Sequence, residues 1–188
     1  LGRWHQPEFT MLEWYRVGWD DVRLMREVEE LLHAVVAPRR AVRLRYSEAL
    51  EHALGVAAQA GTAARAERLA ARGVHVPAGL GHDAVLDLAF ATVVAEGFDR
   101  DAFTFVHDYP ASQAALARVT PGNPPVAAGF QVFAGANELA NGFPEHTAAA
   151  ERRRRFDSEL AARRRLGRHV PPLDERLLDA LARGLPDC

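Results

Sequence analysis

The feature that most constrains the fold of this chain is a set of strand-like segments that follow one another with no helix between them. Residues 102–106 are rich in aromatic and β-branched side chains, and residues 120–125 form a turn rich in proline and glycine. The segments 128–133 and 137–143 are also strand-like, and their junction near Gly135 predicts a hairpin. Successive strands favour an antiparallel sheet over the strand–helix alternation of parallel sheets.

Helical periodicity surrounds these strands. Asp20 and Asp21 predict a helix start, and apolar residues then repeat at helical spacing up to Pro38. Ser47 predicts the cap of a short helix that ends at Gly55. Further helices are expected over 57–72, 83–96, 147–165 and 173–181. The pattern therefore predicts one α+β domain, an antiparallel sheet flanked by helices.

The composition excludes several classes of protein. The 188 residues suffice for one domain, and a net charge of −2 argues against a generally basic surface for nucleic acids. The single cysteine, Cys188, excludes a disulfide framework and a cysteine zinc site within one chain. No apolar run approaches the roughly 18 residues of a membrane span, and no signal peptide is recognisable. Because the chain opens at Leu1 rather than methionine, we expect an internal piece of a longer protein.

Two segments carry polar groups in patterns that suit binding of a cation. In an extended conformation Phe9, Glu13 and Tyr15 share one face, where a carboxylate and a phenol could hold a cationic group. An amphipathic strand with a solvent-exposed polar face explains the same pattern. Glu138, Asn141 and Glu145 flank a strand end and suit a metal or an ammonium group, although an ordinary turn before a helix is the alternative.

Two other segments have weaker signals. Residues 108–114 leave a strand and supply small polar groups where loops often line pockets, but a plain turn explains them as well. The arginines of 152–155 and 163–165 could contact phosphates, or they could belong to a solvated helix. The histidines show no zinc-ligand spacing.

The residues at 5–15 and 138–145 together resemble a known family. The first stretch is similar to the second half of motif 2 in class II lysyl-tRNA synthetases, and the second is similar to their lysine-site strand. Residues 13–16, 109–114 and 184–188 more closely resemble the short paralogue without an anticodon-binding domain, the elongation factor P–(R)-β-lysine ligase type.

This resemblance implies a fold and a function. The fold would be a class II aminoacyl-tRNA synthetase catalytic core, and the chain would run from the second half of motif 2 to just before motif 3. The activity would be ATP- and Mg²⁺-dependent activation of lysine or (R)-β-lysine, followed by transfer to a lysine of elongation factor P. The full-length protein would be a cytoplasmic homodimer without membrane association. Since both end motifs would be incomplete, we expect the isolated 188-residue piece to form no adenylate.

The resemblance also assigns roles to residues, with no protein nucleophile because the chemistry is one of positioning. It implies an ATP-binding group in which Phe9 stacks on adenine: His5, Gln6, Phe9, Gln131, Val132 and Glu138. It implies a substrate-binding group that receives the amino acid: Glu13, Tyr15, Glu138, Asn141, Phe143 and Glu145. Glu138 would also hold the metal. Gln131 departs from the glutamate usual in the family, so its role at the metal is in question and we expect a weaker metal dependence.

Two alternatives remain open from the sequence. The chain could belong to a genuine lysyl-tRNA synthetase that charges tRNA(Lys). It could also be a catalytically silent, synthetase-like binding module, and Gln131 is the internal feature that points there. The presence of the complete predicted substrate pocket argues against the silent module.

Overall fold

A sheet of five strands organises the chain in a computed structural model that describes residues 7–57, 59–114, 116–145 and 147–188. The strands are β1 (Arg40–Arg45), β2 (Ala102–Pro110), β3 (Val119–Thr120), β4 (Val126–Ala134) and β5 (Asn137–Gly142). The helices are α1 (Asp21–Val35), α2 (Tyr46–Leu54), α3 (Thr62–Ala70), α4 (His82–Ala89), α5 (Ala149–Arg165) and α6 (Glu175–Ala182).

The sheet is antiparallel except at one edge. β4 is central, and it pairs antiparallel with β2, β3 and β5. β1 pairs parallel with β2, and α2, α3 and α4 lie in the connection between these two strands. The expected antiparallel sheet is therefore confirmed for β2–β5 and corrected for β1. The sequence analysis missed β1 because Arg40, Arg43 and Arg45 occupy half of its six positions.

Helices cover both faces of the sheet. On one face Met25 and Val28 of α1 pack against a buried cluster that includes Phe103, Phe105 and Val132. A second apolar cluster lies on the other face, where α2, α3 and α4 pack against side chains of β2 and β4. The sheet face that packs against α2, α3 and α4 also contains the polar groups described below.

Most predicted helices are confirmed, with local differences at their ends. Asp20 caps α1, since its side chain accepts a hydrogen bond from the Arg23 amide at 2.7 Å. The cap of α2 is Arg45 rather than Ser47, because the Glu48 carboxylate accepts from the Arg45 amide at 3.0 Å and starts the helix earlier.

The predicted helix over 83–96 is not a uniform α-helix. α4 continues as a π-helical turn over Phe90–Val94 and ends in a 3₁₀ turn over Ala95–Gly97. π-turns within helices widen the backbone locally and are frequent at functional sites. This turn projects Phe90 toward the cavity described below.

The N-terminal segment is pinned to α1 without joining the sheet. Trp14 and Arg16 both donate hydrogen bonds to the Glu27 carboxylate, the indole at 2.9 Å. The described residues provide no strand beside 9–15, so no ladder of backbone hydrogen bonds forms there. The described helices include none that is both long and apolar enough to cross a bilayer.

Candidate functional site

A bulge in β2 turns Tyr109 toward the polar face of the sheet. The pairing register with β4 shifts between His107 and Tyr109, and the residue between them, Asp108, has a φ of 56°. Without this shift Tyr109 would lie on the α1 side, since strand side chains alternate between faces. With it, Tyr109 lies on the same face as Val106 and packs against the α2–α4 cluster.

A second bulge, in β5, brings Glu138 and Asn141 to this same face. Val132 pairs with Ala140, whereas Phe133 pairs with Glu138, so Leu139 is the extra residue. Residues three apart on a regular strand point to opposite faces, and the bulge removes that difference. Asn141 lies directly opposite Gln131 of β4. The two strands thus present a carboxylate and two carboxamides together.

Side-chain hydrogen bonds connect these groups in a chain. The Tyr109 hydroxyl donates to Oε1 of Gln131, and Nε2 of Gln131 donates to Oε1 of Glu138 at 3.0 Å. The two contacts fix which end of the Gln131 amide faces Glu138. Burial, followed by the nearby Tyr46 and Glu138, raises the pKa of Tyr109 above its usual value, which keeps the phenol a proton donor at neutral pH.

A cavity of about 540 Å³ lies over this face. One side is formed by Gln131, Asn141 and Phe143, and the other by aromatic and acidic residues of α2 and α4. Its floor requires glycine at 129: the φ there is +146°, and a Cβ would lie 2.9 Å from Cβ of Phe143 and 3.0 Å from the Gly142 carbonyl oxygen.

The 108–114 segment closes one end of the cavity and is more than a plain turn. Nε2 of Gln113 donates to Oδ1 of Asp87 at 2.7 Å, and the Ser112 hydroxyl donates to Oδ1 of Asp83 at 2.7 Å. These bonds tie the 3₁₀ turn Ala111–Gln113 to α4. Desolvation, followed by the charge of Asp83, raises the pKa of Asp87 above its ordinary value.

A second acidic cluster forms where the N-terminal segment meets residue 145. The Tyr15 hydroxyl donates to Oε1 of Glu13, and this bond raises the pKa of Tyr15, with a smaller contribution from Glu145. Oε2 of Glu145 accepts from Nη2 of Arg152 at 2.8 Å, and its amide donates to the Cys188 carbonyl at 2.7 Å. The Tyr15 hydroxyl thus contacts Glu13 and lies within reach of the charge of Glu145, while the binding roles of these three residues stay predictions.

The remaining predicted residues have different outcomes. His5 and Gln6 lie outside the described residues, and Phe9 is 73% exposed, with its ring open to a partner. Val132 was expected on the ATP side, but its side chain is fully buried on the opposite face, so its main chain alone could contact a nucleotide. Arg152 of the predicted solvated helix is buried, because it forms the ion pair with Glu145.

The sequence analysis missed the far wall of the cavity. Tyr46, Asp87 and Phe90 line it. Their spacing within α2 and α4 follows ordinary helical amphipathicity, so no local signal distinguished them from core residues. Gln113, which contacts Asp87 there, belongs to the 108–114 segment that the sequence had indicated as possible pocket lining.

Few side chains beside the cavity can bind a metal ion. Among the described residues no three His, Cys, Asp or Glu side chains come together. Glu138 offers one carboxylate beside the cavity, and the Gln131 amide is already hydrogen-bonded at both ends. Mg²⁺ commonly binds through one or two carboxylates plus substrate phosphates. The arrangement thus fits Mg²⁺ that arrives with a nucleotide and does not fit a site made of protein ligands alone.

Comparison with protein families decides the class to which this arrangement belongs. The family model described as class II tRNA synthetases (D, K and N) matches residues 1–188. The chain belongs to this family. The mostly antiparallel sheet flanked by helices agrees with that membership, and the fold class predicted from the sequence is confirmed.

Within this family, the chain is similar to curated proteins that share one name. A Vibrio parahaemolyticus protein named elongation factor P–(R)-β-lysine ligase is 41% identical over 191 residues, which cover 100% of this chain and 59% of that protein. Proteins of the same name from Vibrio vulnificus and Salmonella paratyphi B are 40% and 39% identical with the same coverage. The chain therefore spans about three fifths of the length of the curated relatives it matches.

Proposed function

We propose that the protein containing this chain is an ATP-dependent ligase that activates (R)-β-lysine or lysine and transfers it to a lysine side chain of elongation factor P. The observation that carries this proposal is the polar face of the sheet, where bulges bring Glu138, Asn141 and Tyr109 to one side. Asn141 and Tyr109 line the cavity there, and Glu138 is hydrogen-bonded to the lining residue Gln131. The names of the 39–41% identical relatives support the same substrate and acceptor.

The acidic cluster accounts for the class of amino acid. A diamino acid has two ammonium groups, and taking an unpaired charge from water is costly. Glu13 and Tyr15 supply a carboxylate and a phenol on one side, and Glu145 supplies a second carboxylate. Because Arg152 uses Oε2 of Glu145, we assign Oε1 of Glu145 to the substrate. Asn141 and Phe143 line the cavity together with Gln131.

Glu138 serves the nucleotide side of the cavity in this proposal. Bound Mg²⁺ would neutralise phosphate charge as the amino-acid carboxylate approaches the α-phosphate. Glu138 would hold that ion, Gln131 would orient Glu138, and the exposed ring of Phe9 would stack on adenine. The step needs positioning and charge neutralisation rather than a protein nucleophile. In this proposal the full-length protein is cytoplasmic and forms a homodimer. Analytical ultracentrifugation tests the oligomeric state.

The deciding experiment uses the full-length protein that contains this chain. ATP–pyrophosphate exchange is measured with (R)-β-lysine and with L-lysine, and acyl transfer is then measured to elongation factor P and to tRNA(Lys). We expect exchange with at least one of the two amino acids and transfer to the protein acceptor. Glu138→Gln should lower exchange by roughly tenfold or more, because an amide cannot replace the charge at the metal. Glu96→Gln, which changes an exposed carboxylate within the 3₁₀ turn Ala95–Gly97, is the matched control.

Each contrary outcome of this experiment has a defined meaning. Transfer to tRNA(Lys) and not to elongation factor P would establish the synthetase alternative, which the D, K and N family description also covers. Binding of a lysyl-adenylate analogue without any exchange would establish a silent binding module. Either result would refute the ligase proposal.

A further inference from the structure

The α4 end of the cavity contains polar groups that the proposed reaction does not use. Tyr46 is 3% exposed and lines the cavity, and its hydroxyl has no hydrogen-bond partner in the described part of the chain. The Gln113 side chain approaches this hydroxyl and slightly opposes the rise in the Tyr46 pKa caused by burial, but the contact lacks hydrogen-bond geometry. A buried hydroxyl without a partner is costly, and Tyr46 lines the cavity, so a polar group bound there is a candidate partner for it.

The groups around this hydroxyl define the chemistry of such a ligand. Asp87 lines the same end, and Gln113 holds its Oδ1 at 2.7 Å. Asp83, one helical turn earlier, adds negative charge that reaches both Tyr46 and Asp87. The charge of the buried Arg65 of α3 opposes these acids at Tyr46, but Arg65 does not line the cavity. This excess of acceptors favours a ligand that donates hydrogen bonds and carries positive charge.

Aromatic rings complete the same end. Tyr46 and Phe90 are stacked with ring centroids 5.2 Å apart, and Tyr109 lies 4.7 Å from Tyr46 and 6.1 Å from Phe90. Phe90 begins the π-helical turn, so the widened backbone sets its position at the cavity. Aromatic faces beside a carboxylate are a recurring environment for ammonium groups.

We propose that Asp87, Tyr46 and Phe90 form a binding subsite for a primary alkylammonium group, separate from the Glu13–Tyr15–Glu145 cluster. The subsite residues line the cavity, whereas Glu13, Tyr15 and Glu145 are not among its lining residues. The inference rests on the proposed function for its two possible sources of ammonium: the free diamino acid, or the lysine side chain of the acceptor protein.

Direct binding tests the subsite without any activity. The full-length protein is labelled at ¹³Cζ of tyrosine and titrated with n-butylammonium chloride, with Tyr46 assigned from the signal lost in Tyr46→Phe. We expect the Tyr46 and Tyr109 signals to shift together, and the Tyr15 signal to report the other cluster independently. Asp87→Asn should weaken the binding seen at Tyr109 by roughly tenfold or more, since it removes a charge-assisted hydrogen bond.

Glu96→Gln, which changes an exposed carboxylate that does not line the cavity, is the matched control and should leave binding unchanged. Asp83→Asn should weaken binding less than Asp87→Asn, because Asp83 adds charge but does not line the cavity. Equal weakening by Asp83→Asn and Asp87→Asn, or unchanged binding in Asp87→Asn, would overturn the subsite. A failure of the proposed function would be separate, since the protein would then bind n-butylammonium and catalyse no exchange.

Kinetics of the same variants distinguish the two sources. If the amino acid occupies the subsite, Asp87→Asn raises the amino-acid KM in ATP–pyrophosphate exchange and leaves the acceptor KM unchanged. If the acceptor lysine occupies it, the acceptor KM rises and exchange is unchanged. Either pattern supports the subsite. No change in both constants would overturn its role in this reaction even if n-butylammonium binds.

Discussion

The same substitution at the two buried tyrosines of the cavity is expected to have opposite effects on stability. Tyr46 and Tyr109 lie with ring centroids 4.7 Å apart, and burial raises the pKa of both phenols. They differ in hydrogen bonding: the Tyr109 hydroxyl donates to Gln131, whereas the Tyr46 hydroxyl has no partner in the described residues. Tyrosine-to-phenylalanine changes remove only this hydroxyl, so they isolate the difference.

The expected magnitudes follow from these contacts. Tyr109→Phe removes one hydrogen bond and leaves Oε1 of Gln131 without its donor, which should lower the free energy of unfolding by about 1–2 kcal/mol. Tyr46→Phe removes a buried hydroxyl that has already lost its hydration, so stability should stay the same or rise by up to about 1 kcal/mol. Tyr15 is 59% exposed, and Tyr15→Phe should change stability by less than about 0.5 kcal/mol.

The measurement is urea unfolding of the full-length protein without ligands, followed by far-ultraviolet circular dichroism. Unchanged m-values would show that the variants unfold from comparable native states. The double variant closes a mutant cycle, and the ring contact predicts some coupling between the two sites. A loss of stability in Tyr46→Phe as large as that in Tyr109→Phe would refute the reasoning, because it would mean that the Tyr46 hydroxyl is satisfied within the fold.

Three further predictions concern single residues of the site. Gln131→Glu should place a second carboxylate beside Glu138. Mn²⁺ binding in the presence of ATP, measured by electron paramagnetic resonance, should therefore tighten, and the Mg²⁺ concentration required for adenylation should change. Equal metal requirements of the two proteins would contradict this prediction. Gly129→Ala should destabilise the protein by more than about 1 kcal/mol and raise the amino-acid KM, whereas Gly97→Ala, where a Cβ meets nothing within 4 Å, should leave KM unchanged. The folded state raises the pKa of Asp87 above its ordinary 3.8, so ionised Asp87 opposes folding at pH 7. Asp87→Asn should therefore stabilise the protein at pH 7, and this gain should shrink as the pH falls toward 3.8 in urea-unfolding series; a gain independent of pH would count against it.

Structural features that depend on residues near one another in the chain could be predicted from the sequence, because their signals are local. The Asp20 cap, the hairpin around Gly135 and the strand that ends at Pro110 each depend on neighbouring residues. β1 was missed because its strand character comes from pairing with Ala102–His107, some 60 residues later in the chain.

The wall of the cavity could not be predicted for a different reason. The bulge at Asp108 decides which face Tyr109 occupies, and regular alternation along β2 would place Tyr109 on the α1 side. Asp87 reaches the site through the connection between β1 and β2, which no periodicity reveals. Glu13, Tyr15 and Glu145 were named from the sequence because the family resemblance implies all three together.

The amide of Gln131 matches the hydrogen-bonding groups on both sides of it, the Tyr109 hydroxyl and the Glu138 carboxylate. Tyr109, whose pKa is raised by burial, stays protonated and offers one donor, which Oε1 of Gln131 accepts. The exposed Glu138 carboxylate accepts from Nε2 of Gln131 at 3.0 Å. A glutamate at 131 could accept from Tyr109 but could donate nothing to Glu138, and two carboxylates at that separation would repel each other until a cation bridged them. Gln131 therefore gives Glu138 a hydrogen bond within the protein before any metal binds, and a glutamate there would give it none.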